Sequence, residues 1–219
     1  MKDKIAIITG GSEGIGKETA LKLAQKGARV IIGSRKVPEI CLNSGNYSVA
    51  DMLPIEHIYL DLSDFDSVNN FTSEVSSRVE KIDLLINTAA IFKKDLQYSK
   101  NGHILPLQVN CLSQVLLTFL LLEKLIMAKG HVLNIGCTGV IRKEYFSPNK
   151  IIAQHGYNSL EYYNTTKHLM KIFSLMFNKQ MNGRIRVNWI DPGHVRTSLF
   201  REGPLRWLLQ RPLYYFCFS

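Results

Sequence analysis

Residues 9–16 read TGGSEGIG and decide the fold, because they join an apolar run at 4–9 to a helix-like segment. Gly10, Gly14 and Gly16 let the backbone turn tightly and approach a pyrophosphate, whose charge would meet the free amides and positive dipole of the helix start. A purely structural turn also needs glycine, so the residue types alone leave two interpretations. The position between a first strand and a first helix favours a dinucleotide-binding turn.

Outward from this turn, short runs rich in Ile and Val alternate with longer helix-like segments. The predicted strands cover residues 4–9, 28–33, 55–60, 82–87, 131–136 and 185–190. The predicted helices cover residues 14–26, 64–79, about 105–128 and 157–182. In residues 36–54, Pro38, Gly45 and Pro54 allow at most a turn or two of helix. This order predicts one α/β domain of the Rossmann type, a doubly wound parallel sheet with helices on both faces.

The composition is that of a basic globular chain. Its 219 residues, 46% of them apolar, can bury the core of one domain. The net charge of +9 suits an anionic cofactor, nucleic acid or a membrane surface, although a solvated basic surface is the simpler explanation. No zinc-finger or helix-turn-helix spacing and no basic run interleaved with aromatics occurs in the sequence, so we expect no nucleic-acid partner.

The cysteines and apolar segments indicate where the protein resides. The four cysteines are Cys41, Cys111, Cys137 and Cys217. They are widely separated, which predicts reduced thiols and no metal site. The N-terminal apolar run is too short for a signal peptide, and Glu123 and Lys124 interrupt the apolar segment 115–128, which we expect to be a buried helix and not a membrane span. We therefore expect an intracellular protein, either cytoplasmic or peripheral on a membrane surface.

Two candidate acid–base residues lie near the start of the last predicted helix. Tyr163 and Lys167 are four residues apart, so their side chains share one helix face. A nearby ammonium stabilises a tyrosine phenolate and lowers the tyrosine pKa from its ordinary value of about 10, which would suit acid–base chemistry near neutral pH. The alternative is an ordinary amphipathic helix with a packed tyrosine and an exposed lysine.

Six short motifs occur in order between the glycine-rich turn and the segment after the last predicted strand. They are TGGSEGIG at 9–16, DLS at 61–63, NTAA at 87–90, Asn110 in QVNCL, YNTTK at 163–167 and DPGHVRT at 191–197. In this order the chain resembles the short-chain dehydrogenase/reductase superfamily over residues 4 to about 200. The segments GIGKETALKLAQKGARV and VNCLSQVLLTFLLLEKL look most like the retinol dehydrogenase-like branch.

The resemblance implies roles at the matching positions. Tyr163 would exchange a proton with the substrate oxygen, Lys167 would assist it and bind the nicotinamide ribose, and Asn110 would position a water. Asp61 would bind the adenine amino group, with a loop cap as the alternative. Asn87 and Ala89 would lie along the cofactor. Val195 and Thr197 would hold the nicotinamide carboxamide, although Thr197 could instead cap a helix. The remaining cofactor positions would be Gly10, Gly14, Ile15, Gly16, Arg35, Leu62, Pro192 and Gly193.

The sequence departs from the family pattern at two motif positions. Ala90 stands where the family usually has glycine, which is tolerable only if its backbone φ stays negative. Cys137, in NIGCTG at 134–139, aligns with the family serine that donates a hydrogen bond to the reacting oxygen. A thiol donates more weakly than a hydroxyl, so we expect slower chemistry. Thr138 could replace the missing donor only if the chain has already turned at Gly136.

Arg35 predicts the cofactor. The second strand ends in GSRK, with no carboxylate to bind a ribose 2′-hydroxyl, and Arg35 can pair with a 2′-phosphate. We therefore expect NADP(H) to be preferred over NAD(H). Glu13 in the glycine-rich turn opposes this preference, because its charge would repel that phosphate.

The end of the sequence is aromatic and basic. We expect residues 1–200 to form the NAD(P)-binding domain and 201–219 to be a short tail in place of a substrate-covering segment. This tail could cap the substrate pocket, lie on a membrane surface or mark a truncated product.

Together these features predict an NADP(H)-dependent oxidoreductase that transfers a hydride between the nicotinamide and an alcohol or carbonyl, retinoid-like or otherwise lipophilic. The alternative is a catalytically impaired relative that binds nucleotide or a partner without efficient turnover. The expected partner is the small-molecule substrate. A membrane contact through the tail and a homo-oligomer are left open.

Overall fold

The computed structural model of the protein describes residues 1–42, 55–137, 156–193, 195 and 199. Within these ranges the predicted class is confirmed: a parallel sheet is flanked by helices in a single α/β domain. The predicted tail at 201–219 and Thr138, the alternative donor to Cys137, lie outside the described residues.

Six described strands form one sheet in the order β3-β2-β1-β4-β5-β6, and every neighbouring pair is parallel. The strands are β1 (Ile5–Thr9), β2 (Arg29–Ser34), β3 (Ile55–Tyr59), β4 (Leu84–Asn87), β5 (His131–Ile135) and β6 (Arg186–Ile190). Each overlaps a predicted strand and differs from it by at most two residues at either end. In the central strands β1 and β2 the β-branched residues at 7, 8 and 30–32 are buried, as parallel strands covered by helices on both faces require.

The described helices connect these strands. They are α1 (Gly14–Gln25), α2 (Glu39–Leu42), α3 (Phe65–Arg78), α4 (Leu105–Leu107), α5 (Ser113–Leu120), α6 (Leu122–Met127) and α7 (Ser159–Met181). A π-helical segment, Gln108–Leu112, joins α4 to α5. The single turn of α2 agrees with the expectation for residues 36–54 as far as the structure describes them.

The core lies on both faces of the sheet, since successive strand residues point to opposite sides. Ile7 faces the side covered by α3, α5 and α7, which contribute buried residues such as Phe71, Leu117 and Phe177. Ala6 and Ile8 face α1, which approaches closely through Ala20 and Ala24. The two clusters together fix the sheet and the helices that carry the candidate site.

The predicted helical segment over about 105–128 is present, but it is not one regular α-helix. It is interrupted by the π-helical segment and again at Leu121, whose φ of −98° and ψ of 5° leave the helical region. The π-helical segment turns the Asn110 side chain inward, where it bonds to a loop nineteen residues earlier. A π-helical turn holds one residue more than an α-helical turn, and this tertiary contact favours it. Hydrophobic periodicity does not show such a contact.

None of the helices in the described part of the chain combines the length and the apolar character that crossing a bilayer requires.

Candidate active site

The candidate site lies at the carboxyl ends of the strands. Strand β1 has β2 on one side and β4 on the other, so successive connections leave it in opposite directions. Such a switch point opens a crevice at the carboxyl edge of a doubly wound sheet, where ligands bind. The glycine-rich turn follows β1, and NTAA begins at the end of β4, so both border this crevice.

The glycine-rich turn depends on having no side chains. Gly10 has φ +69° and Gly14 has φ +58°, values that other residues rarely adopt. A Cβ on Gly10 would lie 2.8 Å from the Cα of Ala89, and one on Gly16 would lie 2.5 Å from the Gly10 carbonyl oxygen. Glu13, at the N-cap of α1, makes no side-chain hydrogen bond to the first helix amides. This geometry fits a pyrophosphate at the start of α1.

Hydrogen bonds of Thr9, at the end of β1, and of Thr88, directly after β4, support the glycine-rich turn. The Thr9 hydroxyl accepts a hydrogen bond from the Ala89 amide at 3.3 Å, and the Thr88 hydroxyl donates to the Thr9 carbonyl. Ala90 is not among the described non-glycine residues with positive φ. Its φ is therefore negative, as an alanine in place of the family's glycine requires.

The other predicted cofactor residues border the same edge. Arg35 is exposed directly after β2. Asp61 caps its loop, since its Oδ1 accepts from the Ser63 amide at 2.9 Å and from the Ser63 hydroxyl at 2.7 Å. Ile15 lies in the first turn of α1, and Leu62 is buried.

The segment after β6 carries the last group of predicted cofactor residues. Gly193 has φ +68°, and its amide donates to the Asp191 carboxylate at 2.9 Å, so the chain turns directly after Pro192. Val195 is exposed. Thr197 lies outside the described residues.

Helix α7 brings Tyr163 and Lys167 to the crevice. It begins cleanly because the Asn158 side chain accepts hydrogen bonds from the amides of Leu160 and Glu161. Tyr163 and Lys167 are each only 3% exposed. The Lys167 amine donates to the Ile135 carbonyl at 2.9 Å, and its nitrogen lies 5.8 Å from the centroid of the Tyr163 ring.

The ionisation of this pair differs from the sequence-based expectation. Burial raises the pKa of Tyr163, and negative charge at Cys137 and Asp191 raises it further. Burial also lowers the pKa of Lys167 to about 8, against an opposing effect of Cys137 and Cys111. The pKa of Tyr163 is therefore raised, and not lowered as the sequence predicted, because loss of solvation and the nearby negative charges act in the same direction.

Asn110 is fully buried in the π-helical segment. Its Oδ1 accepts from the Ile91 amide at 2.8 Å, and its Nδ2 donates to the Ile91 carbonyl at 3.0 Å and to the Thr166 hydroxyl at 3.2 Å. The side chain therefore fastens the loop after β4 to helix α7. Its protein contacts use most of what one amide group can make.

Cys137 lies two residues beyond β5 and is partly buried. Its effects on the pKa values of both Tyr163 and Lys167 locate it beside that pair. The preceding residue is glycine for a steric reason, since a Cβ at Gly136 would overlap the Trp189 ring. Cys137 thus lies with the other predicted catalytic residues.

A buried chain of hydrogen bonds beneath the crevice joins Asn87, which the sequence predicted to lie along the cofactor, to Asn134 and Ser174, which it did not identify. The Asn87 amide donates to Asn134 Oδ1 at 2.8 Å, the Asn134 amide donates to the Ser174 hydroxyl at 2.9 Å, and Ser174 donates to the Met170 carbonyl at 2.6 Å. Asn87 Oδ1 is buried without a hydrogen-bond partner among the described residues. The available signal was a polar residue at the core positions of an apolar strand and of an apolar helix face.

The described residues contain no cluster of side chains that could serve as metal ligands. Within them, no three His, Cys, Asp or Glu side chains are grouped closely enough to hold a metal ion.

Comparison with known proteins adds sequence relatives. The family model described as short chain dehydrogenase matches residues 4–204. Retinol dehydrogenase 13 of Homo sapiens is 29% identical over 94% of this chain and 67% of that protein. Retinol dehydrogenase 12 of Homo sapiens is 32% identical over 95% of this chain and 66% of that protein. The chain thus spans about two thirds of the length of these curated relatives.

Solved structures share the architecture. The Pseudomonas aeruginosa RhlG/NADP active-site complex superimposes with a TM-score of 0.73 at 25% identity, covering 97% of this chain and 78% of that one. An alcohol dehydrogenase from Thermococcus sibiricus, complexed with 5-hydroxy-NADP, gives a TM-score of 0.71 at 22% identity over 96% and 92% of the two chains. The family match covers most of the chain and both ends of the crevice, and the chain belongs to the short-chain dehydrogenase family of oxidoreductases.

Proposed function

We propose that this protein is an NADP(H)-dependent oxidoreductase that transfers a hydride between the nicotinamide and an alcohol or carbonyl substrate. One observation carries the proposal: a buried lysine, bonded to the end of β5, lies one helical turn from a buried tyrosine at the carboxyl edge of the sheet. No carboxylate among the described residues pairs with Lys167, and an ammonium without a counter-charge is costly to bury, so a purely structural role is a poor explanation for its position.

The crevice suits a nicotinamide dinucleotide. Gly10, Gly14 and Gly16 leave room for a pyrophosphate beside the first amides of α1, and Arg35 is exposed where a 2′-phosphate would extend. When bound, the nicotinamide supplies or accepts the hydride. We assign the cofactor preference to NADP(H) on the charge of Arg35.

Tyr163 handles the proton. Its raised pKa keeps the phenol protonated at neutral pH, so it is ready to donate to the oxygen of a carbonyl substrate. Lys167, with a pKa of about 8, carries its charge at neutral pH and holds a positive field beside the ring. These protonation states favour carbonyl reduction over alcohol oxidation near neutral pH.

The substrate is an alcohol or carbonyl on an apolar molecule. The Phe92 ring lies 6.0 Å from the Tyr163 ring, and the ring of Tyr157, just before α7, packs against that of Tyr162 with centroids 5.0 Å apart. An aromatic surface of this kind favours lipophilic molecules. The names of the retinol dehydrogenase relatives agree with that choice.

The proposal is tested by assaying the purified protein with NADPH and NADH against retinoid-like, aliphatic and polar carbonyls. We expect NADPH oxidation with the lipophilic carbonyls. Arg35→Ala should lower the preference for NADPH over NADH about tenfold, because it removes a charge-assisted contact, and Lys36→Ala should leave that preference unchanged. Tight NADPH binding without turnover of any carbonyl would favour the catalytically impaired alternative. Equal affinities for NADH and NADPH would refute the assignment of Arg35.

A further inference from the structure

We propose that Thr166 is a positioning residue that holds Tyr163 in its reactive place through Asn110 and the loop after β4. The catalytic consequence of this role rests on the proposed function of Tyr163. The hydrogen bonds that join Thr166 to Asn110 and the loop after β4 do not depend on that function and can be tested separately.

The direction of the Thr166 hydrogen bonds is determined. A hydroxyl carries one proton, and Thr166 donates it to the Tyr163 carbonyl at 2.7 Å. The same oxygen can therefore only accept in its contact with Asn110 Nδ2, 3.2 Å away. Thr166 thus connects the helical turn that carries Tyr163 to the π-helical segment.

The connection continues from Asn110 back to the tyrosine ring. Both the amide and the carbonyl of Ile91 bond to the Asn110 side chain. The next residue, Phe92, is buried and packs against the Tyr163 ring. Thr166 therefore closes a ring of contacts that fixes Tyr163 at its backbone and at its aromatic side chain.

Thr166 does not touch substrate. It is 0% exposed, and its two hydrogen bonds are to protein groups. Removing its hydroxyl would leave one Asn110 proton buried without an acceptor, which destabilises the present position of that side chain. Asn110 and the Ile91–Phe92 loop would then shift, and small displacements of a proton donor lower the rate of proton transfer steeply.

Thr165 provides a matched control. It is the same residue type, one position earlier, and is 7% exposed. No hydrogen bond joins its hydroxyl to another side chain or backbone group within the described residues. Thr165→Val therefore makes the same chemical change on the same helix without breaking the connection.

The experiment compares Thr166→Val, Thr166→Ser and Thr165→Val with the parent. We expect Thr166→Val to lower kcat about tenfold or more, with the KM for carbonyl and the Kd for NADPH unchanged. Thr166→Ser keeps the hydroxyl and should retain activity, and Thr165→Val should match the parent. If the valine variant does not fold, Thr166→Ala removes the same hydroxyl.

Hydrogen exchange of the Ile91 amide provides a readout that needs no turnover. Exchange should be about tenfold faster in Thr166→Val and unchanged in Thr165→Val, because only the first loosens the Asn110 side chain. An unchanged Ile91 rate, or an unchanged kcat despite faster exchange, would overturn the positioning role. If the parent itself shows no turnover, the proposed function fails, while the Ile91 rate still decides whether Thr166 holds the loop.

Discussion

The two ends of the crevice are built by opposite means. At the nucleotide end, Gly10 and Gly16 create space because they lack side chains, and the important atoms are backbone atoms. At the catalytic end, the side chains of Asn110, Thr166 and Lys167 cross between segments that are far apart in sequence. One end is therefore sensitive to atoms that are added, and the other to atoms that are removed.

This difference predicts how substitutions separate binding from chemistry. Additions at the glycine-rich turn should weaken cofactor binding, while removal of the Tyr163 or Thr166 hydroxyl from α7 should impair turnover and leave the cofactor bound. The four predictions that follow test this separation.

Tyr163→Phe should have the largest effect. We expect turnover to fall about a thousandfold or more, because the transferable proton is lost while the ring remains. NADPH affinity should stay within about twofold in a fluorescence titration. Tyr162→Phe, which removes a hydroxyl from the adjacent buried tyrosine, is the control. If Tyr163→Phe kept most activity and Tyr162→Phe lost it, the acid–base role would belong to Tyr162.

Lys167→Met should reveal the cost of burying the ammonium. The folded-state pKa of Lys167 is about 8 and its ordinary value is 10.5, so between these pH values the unfolded chain binds more protons. Lys167 therefore destabilises the folded state most below about pH 8, and this cost is relieved as pH rises towards 10.5.

The stability of the parent should consequently rise relative to Lys167→Met by about 3 kcal/mol over that range, as measured by urea unfolding. Lys171→Met, which removes a partly exposed charge one turn further along α7, gives the background. A difference between parent and Lys167→Met that did not vary with pH would contradict the buried ammonium.

Gly10→Ala tests the nucleotide end. The new Cβ requires an unfavourable positive φ and approaches Ala89, so NADPH affinity should fall about tenfold and stability by about 2 kcal/mol. Gly102 has φ +79° with open space around its Cβ position. Gly102→Ala therefore imposes the backbone strain alone and should leave NADPH affinity unchanged. Equal NADPH binding in Gly10→Ala and the parent would show that the turn does not hold the cofactor.

Cys137→Ser should have the smallest effect of the four, and it is a gain. A hydroxyl donates to the substrate oxygen better than a thiol, so kcat should rise about tenfold. Cys41→Ser removes a partly buried thiol in α2 and should not change kcat. If Cys137→Ser were neutral and Thr138→Ala lost activity, the donor would be Thr138.

The parts of the fold that the sequence predicted are those encoded locally. The strands follow from short apolar runs, and the turn at 9–16 follows from its glycines, because both patterns act within a few residues. The π-helical segment Gln108–Leu112 could not be predicted from the sequence, since it depends on the hydrogen bonds between the Asn110 side chain and Ile91.

The site shows the same division. Tyr163 and Lys167 are identifiable from their spacing. Whether the pKa of Tyr163 is raised or lowered depends on how deeply the side chain is buried, which the sequence does not show. Thr166 and Ser174 bond to asparagines 56 and 40 residues away, and no local pattern indicates such partners. Residues that touch the ligand were therefore easier to predict than residues that hold others in place.

The central claim is that both ends act together in hydride transfer. The most direct test is a single turnover of the parent with NADPH fully deuterated at its reactive nicotinamide carbon and a lipophilic aldehyde, followed by mass spectrometry of the product. We predict an alcohol with one deuterium on the carbon that bore the carbonyl oxygen, and none from Tyr163→Phe over the same time. NADPH that stays bound and fully deuterated, with no labelled alcohol from any carbonyl tested, would contradict the account.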